Sequence, residues 1–228
     1  MKYGRNNPTR TKNRLFLLLE LAGLFLGIPT LMYFWTPIVI LPLLWIFAAW
    51  CGRMLLRDPD FDRADLWRAF SLRSNAAFML IQFAFFGVGL FAIVYFFSPD
   101  LLFSLVKKKP LIWLLVMFLY PVFSVYPQEL IYRAYFFHRY RALFPNKWRL
   151  IAVNALLFGY THIIFQNWIA VGLTAAGGIL FAVTYDRSKS TLLVSVMHSI
   201  FGCLIFTLGL GQFFYIGTVA SIPPHLKI

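Results

Sequence analysis

Acidic residues are scarce in this chain: eight Asp and Glu stand against 21 Lys and Arg, a net charge of +13. Charged residues of both signs make up 13% of the 228 positions, where a soluble domain carries about 25%. No polar stretch is long enough to fold as a separate soluble domain. Cysteine is nearly missing too. Cys51 and Cys203 each sit in an apolar run, which excludes a disulfide framework or a thiolate metal site and leaves two small buried hydrophobes. There is no internal repeat and no low-complexity tract. What is present is oil: 61% hydrophobic residues, 19% aromatics and a mean hydropathy of +0.74. The chain therefore reads as one integral membrane domain over residues 1–228.

The apolar runs are Leu15–Trp35, Ile38–Leu56, Ala76–Phe97, Leu111–Val125, Ile151–Phe165, Trp168–Tyr185 and Thr191–Leu210. Crossing a hydrocarbon core of about 30 Å takes about 20 helical residues. An isolated strand cannot satisfy its backbone in lipid, so each run is predicted to be a helix. The fourth and fifth are short, and the Gln128–Tyr140 stretch can complete the fourth. The expected fold is an all-α bundle of about seven to eight helices. The Gln212–Pro224 stretch suits a half-span or an interfacial cover. Pro127 suits either the first turn of a helix or a break after Pro121.

The basic residues cluster at Lys2–Arg14, Arg57–Arg73, Arg139–Arg149 and Arg187/Lys189, and the connections near Thr36, Gln166 and Gly211 carry none. That alternation predicts a cytoplasmic N-terminus and an uncleaved first span, in a membrane such as the bacterial inner membrane. Lys107-Lys108-Lys109 departs from the pattern. The excess positive charge then faces anionic membrane lipids rather than nucleic acid, for which no basic face outside the membrane exists. Asp58, Asp60, Asp62 and Asp65 lack the Gly and Glu of a calcium loop. The Asp58–Arg73 segment is read as a helix whose Leu66, Trp67 and Phe70 dip into the interface.

Three polar islands interrupt the oil: Gln128-Glu129-Leu130-Ile131-Tyr132-Arg133, Phe158-Gly159-Tyr160-Thr161-His162, and His198 within Val194–Ser199. Ionisable groups at membrane depth are costly and by default mark a site or a polar pair. On helices, Glu129 lies about 15 Å from Arg139, His162 about 20 Å from Arg149, and His198 about 14 Å from Lys189. All three groups share a depth from the same side, so they are expected to converge. Glu129 and Arg133, at i and i+4, form an ion pair on one face. A carboxylate and an imidazole can activate a water, and a second His or a hydroxyl can hold the developing oxyanion. Glu129, His162 and His198 could together hold a metal, although no H-E-x-x-H spacing supports one and none is assigned. His138 and His225 read as surface residues. A small transporter would show paired interrupted repeats, which are missing here.

In this order the islands resemble the CPBP family of intramembrane proteases, which includes type II CAAX prenyl endopeptidases and bacterial Abi proteins. The family pattern is E-E-x-x-x-R, F-x-x-x-H and H-x-x-x-N. Glu129 and Arg133, Phe158 and His162, and His198 match it; Gln128 stands at the first Glu and Gly202 at the Asn. The resemblance covers about residues 111–210. It implies an intramembrane endopeptidase acting on a hydrophobic or lipidated, membrane-anchored peptide or protein. It makes Glu129 and His162 candidates for activating water, with His198 as oxyanion donor or second base. Gln128 and Arg133 join the catalytic set, and Tyr132, Phe158, Ser199 and Gly202 the substrate-binding set. The donor missing at Gly202 is expected from Ser199, Thr161, backbone or water. Gln128 leaves three readings: Glu129 acts alone, the position carries an inactivating change, or the chain is a pseudoprotease that binds a membrane segment without cutting it.

Overall fold

The computed structural model describes residues 14–34, 40–68, 70–215 and 227–228, with the side chains of 70–72 outside that description. The basic cluster Lys2–Lys12, the connection at Thr36, residues 216–224 of the last apolar stretch, and His225 lie outside the described residues. Seven main helices follow one another: α1 Arg14–Phe34, α2 Ile40–Arg57, α3 Phe70–Phe97, α4 Pro110–Leu143, α5 Lys147–Thr161, α6 Trp168–Ser188 and α7 Thr191–Thr207. Among the described residues, six helical stretches are long and apolar enough to cross a membrane; α5 counts among them through the 3-10 turn His162–Phe165 that extends it. At 17 residues, α7 is shorter; at a rise of 1.5 Å it still spans about 25 Å. Leu, Phe and Ile side chains stand exposed along α1, α2, α3 and α4, as lipid-facing surfaces require. The protein is an all-α integral membrane protein.

The fourth run and the Gln128–Tyr140 stretch are one helix, as the sequence allowed. Pro121 and Pro127 do not break α4. Instead two wide π-helical segments, Pro121–Val125 and Leu130–Tyr135, flank the α-turn Tyr126–Glu129. A proline has no N–H to give to the i−4 carbonyl, and widening the turn is one way a helix absorbs that. A further π segment, Gly23–Gly27, interrupts α1 and carries Phe25, which is completely buried. Phe25 meets Tyr132 and Phe136 of α4 edge-on, each at 5.2 Å between ring centres. The core thus gathers around the second half of α4.

Helices α5 and α6 form a hairpin at close range. A Cβ on Gly159 would stand 2.7 Å from the Ala175 Cβ, and one on Gly178 would stand 3.0 Å from the Ala155 Cα. Small residues at facing positions let helix backbones approach in lipid, where no hydrophobic force drives them together. The connections are short and capped. The side chains of Asn146, Asn167 and Ser190 accept from the first-turn N–H groups of α5, α6 and α7. These fixed turns set the depth at which His162 and His198 emerge.

The Asp58–Arg73 segment differs from the expected helix. It is a loop around the short 3-10 turn Arg63–Leu66, and α3 begins only at Phe70. Asp62 caps that turn by accepting from the Ala64 N–H. Arg68 bridges Asp62 at 2.7 Å and Asp65 at 2.6 Å. The Ala64 N–H and then Arg68 hold the Asp62 carboxyl below its usual pKa. Burial pushes Asp65 up, against the pull of Arg68. Asp62 and Asp65 are thus committed to this local turn. Trp67 stacks on Tyr126 of α4 at 5.5 Å, and Leu66 is buried.

Candidate functional site

The three islands converge. The His198 Nδ1–H donates to Glu129 Oε1 at 2.7 Å, joining α7 to α4. Glu129 is completely buried, and its Oε2 lies 3.2 Å from Nε of the equally buried Arg133. That pair is close enough for Coulomb attraction but not aligned as a hydrogen bond: Glu129 Oε2 and Arg133 Nε and Nη2 have no hydrogen-bond partner. Arg133 Nη1 instead donates to Asn154 Oδ1 of α5 at 2.7 Å, and Asn154 Nδ2 donates to the Tyr132 carbonyl at 2.7 Å. The guanidinium also lies over the Phe158 ring, 4.9 Å from its centre. Asn154 was not singled out in the sequence. A polar amide inside the fifth apolar run was the available signal.

His162 and His198 stand on either side of Phe158, with ring centres 5.0 and 5.7 Å from it. The His162 Nδ1–H donates to the Phe158 carbonyl at 2.7 Å, since a carbonyl can only accept. Its tautomer is therefore fixed, and the lone pair of Nε2 is the basic position left to the ring. His198 is held from three directions. Glu129 takes Nδ1, the Phe181 ring stacks on it at 4.5 Å, and the Tyr120 hydroxyl lies 3.1 Å from Nε2.

Both histidines line a cavity of about 860 Å³ bounded by α3, α4, α5, α6 and α7. Its walls are mostly Phe, Leu, Ile and small residues, with Phe85, Leu90, Phe181 and Ile205 among them. Its polar groups come from Tyr120, Ser124, Gln128 and Thr174 besides the two imidazoles. Gln128 donates from Nε2 to Ser124 Oγ at 2.8 Å, which leaves its Oε1 as an acceptor. Tyr120, Ser124 and Gln128 thus form a polar stripe on α4.

Several expected site residues fall elsewhere. Glu129 does not line the cavity; it sits behind His198, and Gln128 is the member of that dipeptide on the wall. The widened π turns fix which of two adjacent residues faces inward, and spacing alone could not. Arg133 is likewise behind the wall. Phe158 and Gly202 line the cavity, but Tyr132 and Ser199 do not. Tyr132 is buried against Phe25 and hydrogen-bonded to Thr161. Ser199 donates to the Ser195 carbonyl of its own helix at 2.7 Å. Neither Ser199 nor Thr161 therefore supplies the donor expected at Gly202; Tyr120 stands there. Glu129 and His198 meet, but His162 makes no third ligand beside them, and no cluster suited to a metal ion forms among the described residues. His138 pairs with Asp58 at 3.0 Å.

A further acid, partly buried, lies within the first apolar run. Glu20 of α1 takes Arg139 Nε at 2.8 Å and Nη2 at 2.5 Å, with the Tyr135 hydroxyl at 3.2 Å and the Tyr140 hydroxyl at 2.9 Å. A lone Glu inside the first apolar run was the signal.

A bundle of membrane-spanning helices that turns two imidazoles, an amide and a phenol into one apolar cavity defines a class: a polytopic membrane protein with a polar site inside the bundle. Residues 109–204 match the family model of the Rce1-like type II CAAX prenyl endopeptidases, a stretch that holds every residue of the three islands. The matched family is a protease family, and the match supports the resemblance to the CPBP proteases over that stretch of the chain. No curated protein and no solved structure matches the chain.

Proposed function

We propose that the protein hydrolyses a peptide bond in a membrane-anchored, hydrophobic or lipidated peptide, inside its own helix bundle. One observation carries this reading: two histidines of fixed tautomer, with Gln128 beside them, face an apolar cavity of about 860 Å³. Such walls take up a hydrophobic segment or a lipid chain, and the polar patch meets its peptide bond.

In this reading a water lies between Gln128 Oε1, which orients it, and His162 Nε2, which takes its proton. The water oxygen attacks the carbonyl carbon, and the carbonyl π bond opens to an oxyanion. His162 then returns its proton to the amine as the C–N bond breaks, so no net proton is consumed. Glu129 supports the site from behind by holding the His198 Nδ1–H, and Arg133 Nε faces its other oxygen at 3.2 Å. The part expected of Glu129 thereby shifts from base to orienting group. Glutamine cannot accept a proton, and this arrangement does not ask it to.

The test compares peptide termini in membranes of cells making the wild-type chain or His162→Ala, with both chains confirmed as inserted. New termini that require His162 are expected and identify the substrate. Identical termini with both chains stable would overturn hydrolysis and favour a binding module that holds a membrane segment uncut.

A further inference from the structure

Position 202 is one helical turn after His198 on α7, where a side chain would point into the cavity beside the imidazole. Gly202 supplies none, yet the space is filled. A Cβ built there would lie 2.4 Å from Tyr120 Cε1, 2.5 Å from its hydroxyl oxygen and 2.7 Å from Cζ. The ring of Tyr120, carried on a different helix, occupies the room that a side chain at 202 would need. Its hydroxyl reaches His198 Nε2 at 3.1 Å, and the residue lines the cavity. Phe206 packs edge-on against the ring at 5.4 Å and fixes its plane. Any residue larger than glycine at 202 excludes this placement.

We infer that Tyr120 of α4 is the oxyanion donor of this site, standing where Gly202 of α7 leaves room; the inference rests on the hydrolytic reading above. With the His198 Nδ1–H committed to Glu129, Nε2 carries a lone pair and cannot itself donate. The Tyr120 O–H is then the donor nearest the imidazole on the cavity wall. In the resting site it points at Nε2. When the substrate carbonyl becomes an alkoxide, the same hydrogen swings to the stronger acceptor. No proton leaves the phenol, so the balance set by His162 is unchanged. A phenol at a buried oxyanion contributes in the transition state and little in the ground state, which is how such donors raise turnover rather than affinity.

The experiment uses the full chain in liposomes with two probes: a prenylated peptide that can be cut, and its phosphinic analogue, whose tetrahedral anion mimics the intermediate. Tyr120→Phe is expected to lower kcat on the order of 10²-fold or more, with KM within about twofold. It should weaken the phosphinic analogue by a similar factor and leave the binding of an uncut peptide unchanged. Gly202→Asn alone should lose activity by displacing the ring, whereas Tyr120→Ala/Gly202→Asn should recover activity over Tyr120→Ala. Tyr120→Phe with wild-type kcat and wild-type analogue affinity overturns the assignment while hydrolysis stands. A wild-type chain that cuts nothing, yet prefers the analogue through Tyr120, overturns hydrolysis and keeps the anion-donor role. A fall in thermal stability without the kcat and analogue effects would make Tyr120 structural and overturn the assignment as well.

Discussion

Two carboxylates inside apolar helices, Glu20 partly buried and Glu129 fully, each beside an arginine of α4, are treated in opposite ways. Glu20 is saturated: Arg139 grips it with two nitrogens, and Tyr135 and Tyr140 donate to it. Some solvent still reaches that pair, with side-chain exposures of 13% for Glu20 and 12% for Arg139. Glu129 and Arg133 are 0% exposed, and their facing atoms are not hydrogen-bonded to each other. The spare capacity of Glu129 goes to His198 instead. One pair fastens α1 to α4, and its worth is stability. The other leaves part of its hydrogen bonding unmet and holds an imidazole at the cavity. A fully buried ion pair that is incompletely satisfied is a poor way to stabilise a fold, which argues that the second pair is kept for what it orients.

Substitutions that separate the two pairs sharpen this contrast. The largest effect is expected from Arg133→Met, which strands the Glu129 charge with no water to solvate it. A loss of about 3–5 kcal/mol is expected, read as a large drop in the folded fraction on denaturant titration in detergent. A variant as stable as wild type would mean that Arg133 is not needed to hold Glu129 in the bundle. Next comes Glu129→Gln, which keeps the shape but removes the charge that orients His198. Cleavage per folded molecule should fall on the order of 10²–10⁴-fold, by analogy with removal of the acid behind a catalytic histidine, alongside a stability loss of about 3–5 kcal/mol because the buried Arg133 charge loses its partner. Retained activity would reduce Glu129 to a structural partner of Arg133.

Glu20→Gln should do the reverse. Losing a charge-assisted clamp costs about 1.5–3 kcal/mol, measured as a lower unfolding midpoint, with kcat unaltered; an activity loss larger than the stability loss explains would break the comparison. The smallest effect is expected from Gln128→Glu, which puts on the cavity wall a carboxylate that has no arginine in the present structure. Turnover should rise about tenfold, as an added general base allows. Unchanged or lower turnover would show that the site is tuned to an amide at that position.

Much of this was legible in the sequence, and what was not has a common cause. Composition and run lengths gave a bundle of helices because lipid leaves a chain few alternatives. The shared depth of Glu129, His162 and His198 followed from counting residues from basic anchors, and Glu129 and His198 do meet at 2.7 Å. Facing direction was not legible. Tyr132 and Ser199, placed with the substrate-binding set, lie outside the cavity wall, and of the two catalytic candidates Gln128 and Glu129 the wall holds Gln128. Glu20 was overlooked because it has no neighbour in sequence that announces a partner; Arg139, Tyr135 and Tyr140 reach it only across helices.

The sequence by itself determined that this chain is an all-helical membrane protein and marked Glu129, His162 and His198 as costly groups within its apolar runs. Both follow because the cost of burying backbone and charge in lipid acts residue by residue. Only the tertiary structure decided which polar atoms share a cavity. Two π segments turn α4 so that Tyr120, Ser124 and Gln128 face inward while Glu129 faces α7. The missing side chain at Gly202 admits a phenol from another helix. Such pairings depend on helix rotation and on the room a neighbour leaves, quantities that no single segment carries in its own residues.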